Sequence, residues 1–346
     1  MTPKTPPHPR PPGSRRFRSP LSQEGGQVPV THGWFRGYDG TRLFFSSEGS
    51  GPPLVFCYGL VCSSLHWTYQ IERLRTRYRT IWFDYRGHQN SDLPQDLSTL
   101  TIPAIAKDLE CLVQQLDLPP AVFLGHSMGV NVVLEFYRRR PDLVSGMVLA
   151  NGTAKRPLET LMDNNVSGQS FKVLRALHDT SPRVFRALWT HYLENPVVNA
   201  IVGMGGFNLH LTPPEDVALY VRQISEMDPL VLLNLVDNYD TCDHTAWLHE
   251  VHVPTLILAG AKDQVIPLPQ QELMHQLIPG SDLVVFPHGS HCSQMDLPEQ
   301  VNTAIEHFLE KIGFMGARAA GEPNPPKETA SPPIRPNPPP PPPSAS

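Results

Sequence analysis

The stretch Val122-Phe-Leu-Gly-His-Ser-Met-Gly-Val130 restricts the possible folds more than any other part of the 346-residue chain. An apolar run, Ala121 to Leu124, stops at Gly125, and Ser127 sits between Gly125 and Gly129. Val130, Val133 and Leu134 then fall at helical spacing. Buried strand, tight Gly-flanked turn and helix, in that order, are what a nucleophilic serine needs. The turn lifts the hydroxyl away from the backbone, and the helix N-terminus offers an unpaired N–H and a positive partial charge to a developing oxyanion. The pattern G-x-S-x-G is weak by itself. At Gly and Ser frequencies of about 7% each, a chain of this length carries one by chance roughly one time in ten. The rest of the chain has to supply partners for Ser127.

Short apolar runs of strand type recur on both sides of this stretch. Trp34–Gly40 and Thr41–Phe45 read as two strands around an Asp-Gly turn. Leu54–Tyr58 ends at Gly59, and Thr80–Asp84 leads into Tyr85–Ser91. Met147–Ala150, Thr255–Ala259 and Leu283–Phe286 read as further short buried strands. Between them lie helices. Ile105, Leu109, Leu112 and Leu116 form one core-facing stripe, and Val301, Ile305, Phe308 and Ile312 form another in a helix over residues 298–312. Such alternation predicts an α/β fold: a mostly parallel sheet with helices on both faces. Sheets of this kind gather ligands beyond the carboxyl ends of their strands, where Ser127, Gly59 and the loop after Ala259 all lie.

Residues 152–252 interrupt the alternation. They carry helical patterns at Phe171–His178, Val184–Leu193, Val217–Ile224 and Leu230–Val236, with no convincing buried strand. This insert is expected to form a helical lid between the core segments 28–151 and 253–313. The two ends differ in composition: 19 of the 39 prolines lie in residues 1–20 and 323–343. Residues 1–27 and 314–346 are therefore expected to be disordered, since they bury too little apolar surface to offset their ordering entropy. The run Pro338–Pro343 is a candidate polyproline II ligand for a protein partner, against the plainer reading of a solvated spacer.

Bulk properties exclude several classes. A net charge of −5 gives no nucleic-acid surface, and no apolar run is long enough for a membrane span. Five cysteines, an odd number without a C-x-x-C, point to a reduced, cytoplasmic setting. Cys62 and Cys292 read as buried small hydrophobes. No Cys, His or Asp group has metal-ligand spacing along the chain, so neither metal nor cofactor is expected.

A serine nucleophile needs a general base oriented by an acid. Among 15 histidines, His291 is best placed, after the strand Leu283–Phe286, with His288 as its local competitor. Asp263 follows Thr255–Ala259, and Asp84 is the other strand-end acid. His126 reads as a packing residue beside the turn. The order Ser127, Asp263, His291 is that of the hydrolase sheet.

With these residues in place, about residues 30–313 resemble the α/β-hydrolase superfamily, in its lid-bearing, esterase-like branch. The resemblance rests on Gly125-His-Ser-Met-Gly129, on Phe83-Asp-Tyr-Arg-Gly-His-Gln-Asn-Ser91, on Gly260–Pro267 with its acid, and on His291 followed by Leu297-Pro-Glu299. It implies an eight-stranded sheet with an inserted helical lid. Ser127 would be the nucleophile, His291 the base and Asp263 its orienter, and the backbone N–H groups of Leu60 and Met128 would form the oxyanion hole. Two departures stand out: Tyr58-Gly59 where the family commonly has His-Gly, and His88-Gln89 where it often has x-Gly. Serine in the turn decides against the branches that place aspartate there, and so against haloalkane dehalogenase and epoxide hydrolase chemistry. The expected activity is hydrolysis of a small, uncharged, partly apolar ester through an acyl-enzyme. Acyl transfer, perhydrolysis or carbon–carbon cleavage on the same triad is the nearer alternative, and a non-catalytic binding protein the more distant one.

Overall fold

A computed structural model describes residues 28–60, 62–156, 166–193, 206–239 and 241–316. Eight strands form one sheet: β1 (Val30–Arg36), β2 (Arg42–Glu48), β3 (Pro53–Cys57), β4 (Arg79–Phe83), β5 (Ala121–His126), β6 (Val144–Ala150), β7 (Thr255–Gly260) and β8 (Asp282–Phe286). Their order across the sheet is β1-β2-β4-β3-β5-β6-β7-β8. Only β2 runs against its neighbours; the pairings from β4 through β8 are all parallel.

Every residue of β3, β5 and β7 is buried, so both faces of the central sheet are covered. The helices that cover the sheet and connect its strands are α1 (Thr68–Leu74), α2 (Ile102–Gln115), α3 (Met128–Arg139), α8 (Leu268–Leu277), α9 (Ser293–Asp296) and α10 (Pro298–Lys311). α2 starts at Thr101, whose hydroxyl accepts the Ala104 N–H at 3.2 Å, and it buries Ile105, Leu109 and Leu112. Each such aliphatic side chain contributes about 1.5–3 kcal/mol when removed from water. In α10 Val301, Ile305 and Phe308 are buried as the stripe requires. The first ten residues of α3 are buried on all sides, including Asn131 and Glu135, because this helix lies between the sheet and the elements above it.

The sequence pattern missed α1 and α8, which carry few apolar residues at helical spacing. It also made β8 too deep. Leu283 and Val284 are half-buried and Val285 is exposed, because β8 is an edge strand with a neighbour on one side only.

Between β6 and β7 the chain forms α4 (Val166–Thr180), α5 (Pro182–Leu193), α6 (Pro214–Glu226) and α7 (Pro229–Tyr239). It then returns to pair β7 beside β6, Met147 opposite Thr255. α7 joins the main core through Val231, Leu235 and Tyr239, and its Tyr239 hydroxyl donates to Asn131 Oδ1 in α3 at 3.0 Å. The stretch Val197–Met204, expected to be the most apolar part of the insert, and the Pro-rich ends lie outside the described residues. Among the described residues no helix is long and apolar enough to cross a membrane.

Candidate active site

Ser127 stands between β5 and α3 with φ +54° and ψ −121°, a backbone conformation that costs a non-glycine residue about 1–3 kcal/mol. Its surroundings hold it there. The Ser127 N–H donates to Ala150 O at 3.0 Å, and its carbonyl accepts from the Val130 N–H at 3.0 Å. A methyl group on Gly125 would lie 2.6 Å from Gly129 O, and one on Gly129 would run into the carbonyls of Cys57 and Tyr58. The two glycines therefore let α3 leave the turn directly over the end of β3.

His291 lies in the loop after β8, ahead of α9. Its Nε2 is 3.0 Å from Ser127 Oγ, and its Nδ1 is 3.0 Å from Asp263 Oδ2. A carboxylate only accepts, so Nδ1 carries the hydrogen and Nε2 presents its lone pair to the serine hydroxyl. Asp263, after β7, has a fully buried side chain. Its Oδ1 accepts from the N–H groups of Val265 and Ile266 at 2.9 and 2.8 Å. Its Oδ2 takes Asn151 Nδ2 at 3.1 Å besides His291. The three residues picked from the sequence thus form one hydrogen-bonded chain.

Gly59 follows β3 against the turn; a methyl there would sit 3.0 Å from Ser127 Cβ. Leu60 comes next, its carbonyl accepting from Cys62 Sγ at 3.0 Å. Met128 is the first residue of α3, where helix geometry leaves its N–H without an intrahelical acceptor. The peptide following Gly59 and the start of α3 therefore flank the serine.

The rival residues have other surroundings. His288 is exposed, and its carbonyl accepts from Asn208 Nδ2 at 2.9 Å. Asp84 Oδ2 receives the Asn90 N–H and Nδ2 at 3.1 and 2.8 Å, which shapes the loop after β4. Burial pushes the Asp84 carboxyl up to about 6, against the lowering effect of the two Asn90 bonds. Arg86 in the same loop is buried and forked onto Asp108 at 2.7 and 2.8 Å. His126 is buried, its Nε2 2.9 Å from the carbonyl of His291. Burial, then the neighbouring His291 and His66, push the His126 imidazole well below its usual range, so it stays neutral.

The departure Tyr58-Gly59 has a structural counterpart. Tyr58 is buried, its hydroxyl accepts the Tyr85 N–H at 2.8 Å, and the Tyr85 hydroxyl donates to Tyr58 O at 3.0 Å. The two rings, 4.2 Å apart at their centroids, lock the strand end that leads into Gly59.

Sequence reasoning missed several residues. Asn151, at φ +47° directly after β6, bridges Asp263 Oδ2 and Ser290 O. Its strand-end position was the available signal. Asp296 is buried and clamps two segments together. Its Oδ2 takes the Ser290 N–H and hydroxyl at 2.7 and 2.6 Å, and its Oδ1 takes the Asn208 N–H and the Thr212 hydroxyl at 3.0 and 2.5 Å. No local pattern announced that role. The spacing along the chain offered no metal motif, yet the fold brings His66, His126 and Cys292 together with their donor atoms within 4.8 Å of one another.

A family model described as alpha/beta hydrolase fold matches residues 52–298. An uncharacterized protein of Mycobacterium tuberculosis is 26% identical over 286 residues, 80% of each chain. Epoxide hydrolase 3 of Xenopus tropicalis is 25% identical over 289 residues, 81% of this chain and 78% of that one. Among solved structures, a thermophilic esterase from Thermogutta terrifontis matches 82% of this chain and 99% of its own, with a TM-score of 0.69 at 24% identity. With its mostly parallel eight-stranded sheet and the match over residues 52–298, this chain belongs to the alpha/beta hydrolase fold family.

Proposed function

We propose that the protein is a serine hydrolase that cleaves a small, uncharged, partly apolar ester through an acyl-enzyme. The observation that carries this reading is the continuous chain Ser127 Oγ, His291 Nε2, His291 Nδ1 and Asp263 Oδ2, with both contacts at 3.0 Å. Ser127 Oγ attacks the acyl carbon while its proton passes to His291 Nε2. The C–O bond to the leaving alcohol then breaks, and the alcohol departs with that proton. Water, activated by His291, attacks the acyl-serine and regenerates the enzyme. The Met128 and Leu60 N–H groups receive the oxyanion, each contributing about 10² to 10³ in rate. Asp263 is a positioning residue that stabilises the imidazolium as it forms.

The insert acts as the lid in this reading. Its segment 206–226 is tied to the two loops that flank Ser127. Gly206 O accepts the Cys292 N–H at 3.0 Å, and the Ser63 hydroxyl donates to Gln223 Oε1 at 2.6 Å. A small cleft between the loop after β3 and α6 is lined by Leu65, Tyr69, Leu219, Tyr220 and Met295 together with the carboxylate of Asp216.

A fluorophosphonate probe tests the chemistry: it labels the wild type and leaves Ser127→Ala unlabelled. An unlabelled wild type would return the chain to the non-catalytic class. A chain-length series of p-nitrophenyl esters tests the substrate class. Fastest turnover of a charged acyl group would overturn it, and an added alcohol or peroxide shows whether water is the acceptor.

A further inference from the structure

Behind the catalytic histidine lies a buried group that the proposed hydrolysis does not use. His66, in the loop after β3, is 1% exposed, and neither of its ring nitrogens has a hydrogen-bond partner. His126, at the end of β5, is fully buried, with Nδ1 unpartnered. Cys292 follows His291 and is 2% exposed. One ring nitrogen of His66, one of His126 and the Cys292 sulfur all lie within 4.8 Å of one another. A buried imidazole with both nitrogens unpaired is costly, on the order of 1–3 kcal/mol for each unmatched polar atom. A structure keeps such groups rarely, and metal binding is one use that accounts for them.

The hydrogen bonding of His126 gives a second, independent indication. Its Nε2 lies 2.9 Å from the carbonyl oxygen of His291. A carbonyl only accepts, so Nε2 carries the hydrogen and Nδ1 is left as a bare lone pair. That is the arrangement in which metal-ligating histidines are held: one nitrogen donating to a backbone carbonyl, the other free for the metal.

We propose that His66, His126 and Cys292 form a binding site for a borderline-soft, thiophilic divalent cation of the zinc type. Two imidazoles and a thiolate are the donor set such ions select. With Zn–N near 2.0–2.1 Å and Zn–S near 2.3 Å, tetrahedral ligand atoms sit about 3.5 Å apart. Side-chain rotations of about an ångström therefore draw the three donors onto one ion and leave a fourth position for water. Binding forms two M–N bonds and one M–S bond, and the Cys292 thiol proton passes to solvent. His66 also lines the cleft beside α6, which supplies an entry path. The ion would stand one residue from His291 and one hydrogen bond from its carbonyl, and so couple metal availability to the placement of the general base.

Titration with Cd²⁺, a spectroscopic stand-in for Zn²⁺, tests the site. The full-length wild type is expected to bind one equivalent with a sulfur-to-cadmium charge-transfer band, and Zn²⁺ is expected to displace it. Cys292→Ala should lose the band. His66→Phe, which replaces a ring without partners by one of similar shape, should weaken binding at least tenfold. Zn²⁺ should also raise the melting temperature of the wild type and of neither variant, which separates site loss from misfolding. Ser127→Ala should bind as the wild type does, so the outcome is independent of the proposed hydrolysis. A wild type without a thiolate band, or equal affinity in wild type and both variants, would overturn the proposal.

Discussion

On the sheet side of the site, Asp263 receives four hydrogen bonds, and Gly125 and Gly129 leave no room for a methyl group. Across the site, α4 and α5 expose Val173, Leu177 and Val184. Surface ion pairs join these two helices to their neighbours, Arg175 with Asp237 and Arg186 with Asp228, and Arg175 also pairs with Asp179 within α4. Exposed pairs of this type contribute about 0–1 kcal/mol, whereas leaving a buried polar group unmatched costs about 1–3 kcal/mol. The sheet side is thus held to one geometry, and the outer helices are held loosely. In the proposed hydrolysis the difference separates two tasks: the sheet would place the reacting atoms, and the insert would shape what reaches them. Asp296 lies on the boundary, one oxygen on Ser290 beside His291 and the other on Asn208 and Thr212 of the insert.

Substitutions on the two sides should therefore differ by orders of magnitude. Ser127→Ala is expected to lower kcat by about 10⁶, as loss of a triad nucleophile does elsewhere, with the melting temperature retained. A residual rate within tenfold of wild type in an ester assay would break the assignment. Asp263→Asn should cost about 10⁴ in kcat by presenting the wrong tautomer of His291 to the serine, read in the same assay. Asp296→Asn sharpens the comparison, because it acts on both sides at once. Loosening Ser290 should displace His291 by a fraction of an ångström to an ångström and lower kcat by about 10², with KM changing less. An effect confined to KM would place Asp296 with the insert alone.

Asp84 tests the sheet side through stability. Burial pushes its carboxyl up to about 6 in the folded protein, from the 3.8 of an ordinary aspartate. The folded form therefore holds the proton more tightly than the unfolded chain. This contribution is complete below about pH 4 and is lost as pH rises through 6. It amounts to about 3 kcal/mol. Denaturant melts should show the stability of the wild type falling relative to Asp84→Asn between pH 4 and 7, and a constant difference would remove burial as the cause. The smallest effect is expected from Arg175→Ala, on the insert surface. It should leave ester turnover within about twofold, since only exposed ion pairs are lost.

Legibility in the sequence follows the same division. The strands and the stripes of α2 and α10 were visible because their signal is local: apolar residues at a fixed period, bounded by turn residues. Ser127, Asp263 and His291 could be named because each stands just beyond a strand end of a parallel sheet. Asn151 stands in an equivalent place, but an isolated Asn after a strand carries no chemical signal until its partner Asp263 is in view. α8 escapes the pattern because much of it faces solvent, and β8 reads as buried because composition does not reveal which strand lies at an edge.

The stretch Ala121–Leu134, with its apolar run, glycine-flanked serine and helical spacing, determined that a serine would be raised on a turn between a strand and a helix, since backbone sterics and helix periodicity act over a few residues. Family resemblance and strand-end position together named its two partners. Only the tertiary structure decided that Tyr58 and Tyr85 brace the strand end before Gly59, that Asp296 joins the insert to the histidine loop, and that His66, His126 and Cys292 converge. Apart from the short link between Asp296 and Ser290, these contacts join residues 27 to 226 positions apart in the chain. No periodicity spans such separations; they arise when the sheet stacks its strand ends side by side.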